Sequence, residues 1–267
     1  MAASPSSLLL FASLLAPLLA LNIENLENLK AKPEDIINLY SDKYGESTNS
    51  KVANPEQRNF PKDCSEVSAS SPSGVYVIQP TGLHPIVVYC DMSMAGGGWT
   101  VIQRNNHTTE ITWDEFWSTY KYGFGNVLTE YWLGTEYIHQ ISKQKVYLAR
   151  FVLWDASNTT KFAEYNLFYV EEESEGYRLR LGSYSGSAGD AMGSTSTSSV
   201  HDNMKFSAKD RDQDAYSGNC ASSYGGGWWY SACYAARLNV KGAITWGSLC
   251  SGNCKASAIL LKPVPYC

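Results

Sequence analysis

Asp210, Asp212 and Asp214 alternate along KDRDQDAYSGNCASSYGGGWWYSAC, the stretch from Lys209 to Cys233. Carboxylates at this spacing, followed by a turn in which Tyr216 and Gly218 can direct backbone carbonyls inward, are hard oxygen donors. Calcium takes roughly six to eight of these at about 2.3–2.6 Å. The loop is not an EF-hand. Counted from Asp210, Ala215 stands where the sharp turn needs glycine, and Ala221 where a bidentate glutamate is needed. A solvated acidic turn is the alternative reading.

Catalytic readings of the same residues are weaker. Glycoside hydrolysis needs two carboxyls across a cleft, roughly 5–10 Å apart, whereas aspartates within one tight loop are placed to share a cation. Cys220 and Cys233 have no CxxC nearby, and in a secreted chain such a pair reads as a disulfide before a zinc site. GSYSG at Gly182–Gly186 has tyrosine where a nucleophile elbow has serine. His84, His107, His139 and His201 form no HExxH pattern. The chain reads as a non-enzyme.

Composition sets the frame for these residues. The chain has 267 residues and a formal net charge of −5, which argues against a broad nucleic-acid footprint. Only 18% of residues are charged, while 18 Tyr, 8 Trp and 21 Gly stand out, so a loop-rich, aromatic fold with much β-structure is expected. MAASPSSLLLFASLLAPLLALN has an apolar core from Leu8 to Leu19, too short for a membrane span, and reads as a secretory signal peptide over 1–20. No other stretch is apolar and long enough to span a bilayer. Seven cysteines suit an oxidising compartment, and Asn106 and Asn158 begin N-glycosylation sequons.

Residues 21–59 read as a short helical segment and a polar linker: Ile23, Leu26 and Leu29 repeat at helical spacing, Pro33 interrupts, and Ile36, Ile37 and Tyr40 resume. Dense order starts near Cys64. GVYVIQ, PIVVYC and WTVIQR are β-branched runs punctuated by Gly and Pro, and KVYLARFVLWD, EYNLFYVEE and GYRLRLGSYSG are further strands. Trp113, Phe116, Trp117 and Tyr120 have helical spacing that ends in glycine. From Gly182 to Ser199 the chain turns to Gly, Ser and Thr, and the region beyond Ser199 has little periodicity. The pattern is α+β.

GVYVIQ…VVYCDM…GGGWTVIQR, YKYGFGNVLTEYWLGTEYIHQIS, SGSAGD, FSAKDRDQD and NCASSYGGGWWYSAC, in that order, resemble the fibrinogen C-terminal domain. That module is shared by fibrinogen chains, ficolins, tachylectins, angiopoietins and tenascins. The resemblance runs from about Cys64 to the end, so residues 60–267 are read as one such globular domain. It implies a central twisted antiparallel sheet with helices and a loop-rich C-terminal subdomain holding both the calcium and the ligand site. It further implies structural Ca2+ held by the side chains of Asp212 and Asp214 and the carbonyls of Tyr216 and Gly218, with Asp210 outside the ligand set. Disulfides Cys64–Cys90 and Cys220–Cys233 are implied by the resemblance, as is a cis Ala232–Cys233 peptide aiming the amides of Cys233 and Tyr234 at a ligand carbonyl.

The chain departs from the family where lectin members build the second wall of an acetyl pocket. Arg237-Leu238-Asn239-Val240 is followed almost at once by Ile244-Thr245-Trp246, so most of the usual long loop is missing. Tyr224 and Tyr234 remain as candidate contacts, while Trp228 and Trp229 read as core. Cys250, Cys254 and Cys267 lie outside the usual family set. CSGNC can close a small ring, or Cys267 can tie back, and one cysteine is left over in any scheme of three bridges, which opens a disulfide-linked homodimer. Two functions remain: a secreted ligand for an extracellular protein receptor, favoured by the missing loop, and a lectin-like protein for acetylated glycans.

Overall fold

The computed structural model describes residues 59–265. The expected signal peptide at 1–20 lies outside the described residues, as do the helical segment and all but the last residue of the linker. Among the described residues, no helix is long and apolar enough to cross a membrane.

Most of the described strands form one antiparallel sheet. β1 (Gly74–Ile78), β2 (Ile86–Asp91) and β3 (Trp99–Asn105) run in succession along one side. β6 (Tyr147–Trp154), β7 (Thr160–Val170) and β8 (Leu179–Leu181) form the other, and β12 (Ala256–Pro263) closes the gap between β3 and β6. Short strands β4 (Phe124–Gly125), β5 (Tyr131–Trp132) and β9 (Tyr184–Gly186) attach to this path. Period-two alternation decides which faces are buried: in β2, Ile86, Val88 and Cys90 point inward and Val87 outward. β12 pairs with both β3 and β6, so the last strand in the chain completes the middle of the sheet.

The aromatic run around Trp117 gives a helix shorter than its spacing predicts. α1 spans only Trp117–Tyr122. Trp113 sits at φ +64°, outside helical geometry, with its ring in the core against Phe124 and its carbonyl accepting the Tyr120 hydroxyl at 2.6 Å. Burial of the indole and that hydrogen bond outweigh helical propensity at this position. α2 (Thr135–Ser142) packs on β7.

Beyond β9 the chain forms only α3 (Cys220–Tyr224) and the two-residue strands β10 (Ala236–Arg237) and β11 (Thr245–Trp246) before β12. Buried side-chain amides take the place of ladders there. Gln103 and Asn105 on β3 donate to the Leu238 carbonyl at 3.2 and 2.9 Å, and Asn105 also reaches the Val240 carbonyl at 2.7 Å. Buried backbone groups need partners of this kind. Trp228 and Trp229 are fully buried, and Trp229 packs edge-on against Trp132 and Phe206.

Candidate functional site: an aspartate loop joined to a tyrosine pair

Asp212, Asp214, Tyr216 and Gly218 lie in order around a turn that leads into α3. The Asp212 carboxylate accepts the Asp214 amide at 3.2 Å. Asp214 accepts the Tyr216 amide at 2.9 Å and, through its other oxygen, the Cys220 amide at 2.8 Å. Its burial and the negative charge of Asp212 hold the Asp214 carboxyl above the usual range. Among the described residues neither aspartate has an ion-pair partner: Lys209 is engaged with Asp114, and Arg211 with Glu173. The Tyr216 and Gly218 carbonyls accept no hydrogen bond from a described residue. Two crowded carboxylates with two uncommitted carbonyls are a hard-oxygen donor set that fits calcium.

Asp210 is turned elsewhere. Its carboxylate accepts the Trp117 amide at 2.7 Å, at the start of α1.

The aspartate loop is tied to the predicted ligand residues through α3. The helix begins at Cys220, whose amide Asp214 holds, and ends at Tyr224. Asn219 caps it by accepting the Ser222 amide at 2.7 Å. Gly225, at φ +72°, ends it, and Gly226 then passes so close to Asn239 that a Cβ would lie 1.7 Å from the Asn239 carbonyl oxygen. The Gly-Gly-Gly run is thus a helix stop followed by a close approach of backbones.

Cys220 is bridged to Cys233, and Ala232–Cys233 is cis. Tyr234, half-buried, meets Tyr224 edge-to-face at 5.0 Å between ring centroids, and Tyr224 is 42% exposed. The Arg237 guanidinium packs against both rings, 4.8 Å from the Tyr234 centroid and 5.5 Å from that of Tyr224, and donates to the Tyr224 carbonyl at 2.7 Å. The amides of Cys233 and Tyr234 donate to no described residue. Among the described residues, the buried side-chain polar atoms without a partner are Trp228 Nε1, Ser231 Oγ and Arg237 Nε, all within this same segment. Such atoms are rare and call for a reason.

Sequence reasoning missed the roles of Arg237 and His201. His201 is fully buried: its Nδ1 donates to the Trp229 carbonyl at 2.7 Å, and its Nε2 accepts the amides of Ala235 at 3.1 Å and Ala236 at 2.9 Å. Burial pushes this imidazole down to about 4. No spacing signal marks either role, because each residue acts through contacts made only after folding.

The connection from β10 to β11 begins against the Gly-Gly-Gly run, where Asn239 donates to the Gly227 carbonyl at 3.0 Å, and then reaches the residues after β3: Lys241 pairs with Glu110 at 2.9 Å, and the Gly242 amide donates to His107 at 3.1 Å.

The structure also joins Cys64 to Cys90 and Cys250 to Cys254, the latter closing the small CSGNC ring. Cys267 lies outside the described residues. Asn106 follows β3 and Asn158 sits in the β6–β7 turn.

Comparisons with known proteins agree with this architecture. Residues 60–254 match the family model of the fibrinogen beta and gamma chains, C-terminal globular domain. Fibrinogen-like protein 1-like protein of Gallus gallus is 57% identical over 193 residues, 72% of this chain and 68% of that protein. Techylectin-5A of Tachypleus tridentatus is 39% identical over 198 residues, 71% of this chain and 65% of the relative. The fibrinogen-like globe domain of human ANGPTL6 superposes with a TM-score of 0.70 at 35% identity, covering 82% of this chain and all of that domain.

Proposed function

Because the chain belongs to the fibrinogen C-terminal domain family, we propose that it is a secreted, non-enzymatic recognition protein that binds an extracellular protein receptor through Tyr224, Tyr234 and the adjoining Cys233 backbone. The observation that carries this reading is the tyrosine pair itself. Two aromatic rings pack on a buried arginine at the end of a disulfide-bound helix, and Tyr224 is exposed. Rigid tyrosines backed by arginine are the residue types that dominate binding energy at protein interfaces.

In this reading Ca2+ is structural. Asp212 and Asp214 would hold it through their carboxylates, and Tyr216 and Gly218 through their carbonyls. A bound cation neutralises the Asp212–Asp214 repulsion and stiffens the turn whose Asp214 anchors α3, and thereby Tyr224. It takes no part in any reaction.

A lectin-like role is the second reading, favoured by the uncommitted amides of Cys233 and Tyr234, which could receive the carbonyl of an acetylated glycan. One experiment separates the two. Labelled mature protein is bound to cells in calcium, with Tyr224→Ala and Tyr234→Ala alongside. Binding that is protease-sensitive, lost in both variants and indifferent to free N-acetylglucosamine supports the receptor reading. Release by the free sugar assigns the site to glycans. Undiminished binding of both variants overturns the site.

A further inference from the structure

A second concavity, lined by none of the aspartate-loop or tyrosine residues, is an open cleft of about 720 Å³ on the sheet, over β3, β12 and the β6–β7 turn. Ala256 and Ala258 of β12 line it. Register places Ala256 across from Trp154 on β6, and Ala258 across from Arg104 on β3. Small residues between large ones leave a trough, with the aromatic side chains of Trp154 and Tyr89 among its lining.

Arg104 is fixed in place. Its guanidinium lies 4.4 Å from the Tyr89 ring centroid and its Nη1 donates to the Val127 and Leu128 carbonyls, while Nε and Nη2 donate to no described residue. Lys255 adds an exposed ammonium without an ion-pair partner among the described residues.

Both sequon asparagines line this one cleft. They come from different connections, and nothing in their spacing foretells the meeting. Asn106 is half-buried and oriented: its Oδ1 accepts the amide and the hydroxyl of Thr108 at 3.3 and 2.6 Å, which leaves Nδ2 free. Asn158 is exposed in a turn, at φ +61°, and its side chain has no hydrogen-bond partner among the described residues.

We propose that the cleft seats the first sugars of the chain's own N-linked glycan on Asn106, while a glycan on Asn158 projects from the rim into solvent. Attachment forms a bond from Asn106 Nδ2 to the sugar C1, with a lipid-linked oligosaccharide diphosphate as donor; the lipid diphosphate leaves and one amide proton is lost to base. Trp154 offers a flat apolar face to a sugar ring, and Arg104, stacked on Tyr89, and Lys255 offer donors to hydroxyl and acetyl oxygens. Contacts too weak to hold a free sugar suffice for a tethered one, whose effective concentration reaches the order of millimolar. This face of the sheet is then covered, and partner binding is confined to other surfaces.

The inference rests on the secretory route proposed above. The full chain is expressed with its leader in secretory cells, and glycopeptides are mapped from the medium. The rate at which an N-glycan amidase releases each glycan is then compared in native and unfolded protein. The Asn106 glycan is expected to be released at least tenfold more slowly from the native protein, and that of Asn158 at nearly equal rates. Lys255→Ala, at an exposed side chain, should speed native release from Asn106 without changing occupancy, which steric shielding of a half-buried asparagine alone would not produce. A secreted chain with Asn106 bare, with equal release rates at both sites, or with release indifferent to Lys255→Ala overturns the inference and leaves the secretory route standing. A chain that never reaches the medium sinks both.

Discussion

The Asp210 carboxylate caps a helix from 93 residues away, accepting the Trp117 amide at 2.7 Å at the first turn of α1. Phe116, the residue preceding the helix, makes no side-chain cap of its own. Asp210 therefore takes one of the orphan amide donors of the first turn, where no local side chain caps the helix. Asp210→Ala should cost about 1 kcal/mol, or roughly 2–4 °C in a domain of this size, and Asp210→Asn less. Both variants should keep a full calcium response in thermal melts. Loss of that response in Asp210→Ala would place Asp210 among the metal ligands.

Calcium should raise the melting temperature of the wild-type protein. Binding to the native state alone at about 100-fold over Kd adds about 2.7 kcal/mol, a shift of several degrees. Asp212→Ala should remove it. Differential scanning fluorimetry in calcium and in chelator checks this, and identical melts in the two would rule out the site.

Stability should fall between pH 6.5 and 4 through His201. Its Nε2 accepts two amides, which requires the neutral ring, and burial holds its folded value near 4 against an ordinary 6.5. Between those values the unfolded chain binds the proton and the folded one does not. The stabilisation is thus complete above about pH 6.5 and lost as pH drops towards 4, by about 3 kcal/mol in all. His107, half-buried, is pushed down as well and acts in the same sense. Melts at pH 7.5 and pH 5 should show a clearly shallower dependence for His201→Gln; an unchanged slope would refute the assignment.

Six of the seven cysteines are bridged to one another, leaving Cys267 as the odd one. An odd cysteine in a secreted chain suggests pairing between chains. Purified protein should run at twice the monomer mass on a non-reducing gel and as monomer after reduction, and Cys267→Ser should run as monomer in both. A wild-type band unaffected by reductant would exclude the covalent dimer.

Much of the fold was legible in local pattern. GVYVIQ, PIVVYC, WTVIQR and KVYLARFVLWD became β1, β2, β3 and β6 because β-branched runs between Gly and Pro have few other ways to bury one face. The apolar spacing from Trp113 predicts a longer helix than Trp117–Tyr122, since a period of apolar residues cannot show that one of them is held in the core at positive φ. Between Ser199 and β12 the sequence offers little period to read, because the order there comes from Asn105, Gln103, Asn239 and His201 bonding to backbone.

The residue types themselves limit the chemistry available: aspartates on alternate positions are oxygen donors, cysteines can form bridges, and tyrosines offer aromatic faces. Which of these meet was decided by tertiary structure. Asp210 and Asp212 are two residues apart, yet one caps α1 and the other stays in the aspartate loop. Tyr224 and Tyr234 become one surface only because Cys220–Cys233 and Arg237 bring them to 5.0 Å. Asn106 and Asn158 share a cleft only because β12 enters the sheet between the strands that carry them. The reason is one of range: propensity and periodicity act over a few residues, whereas these meetings depend on strand order and long-range hydrogen bonds, which the chain acquires only when its core closes.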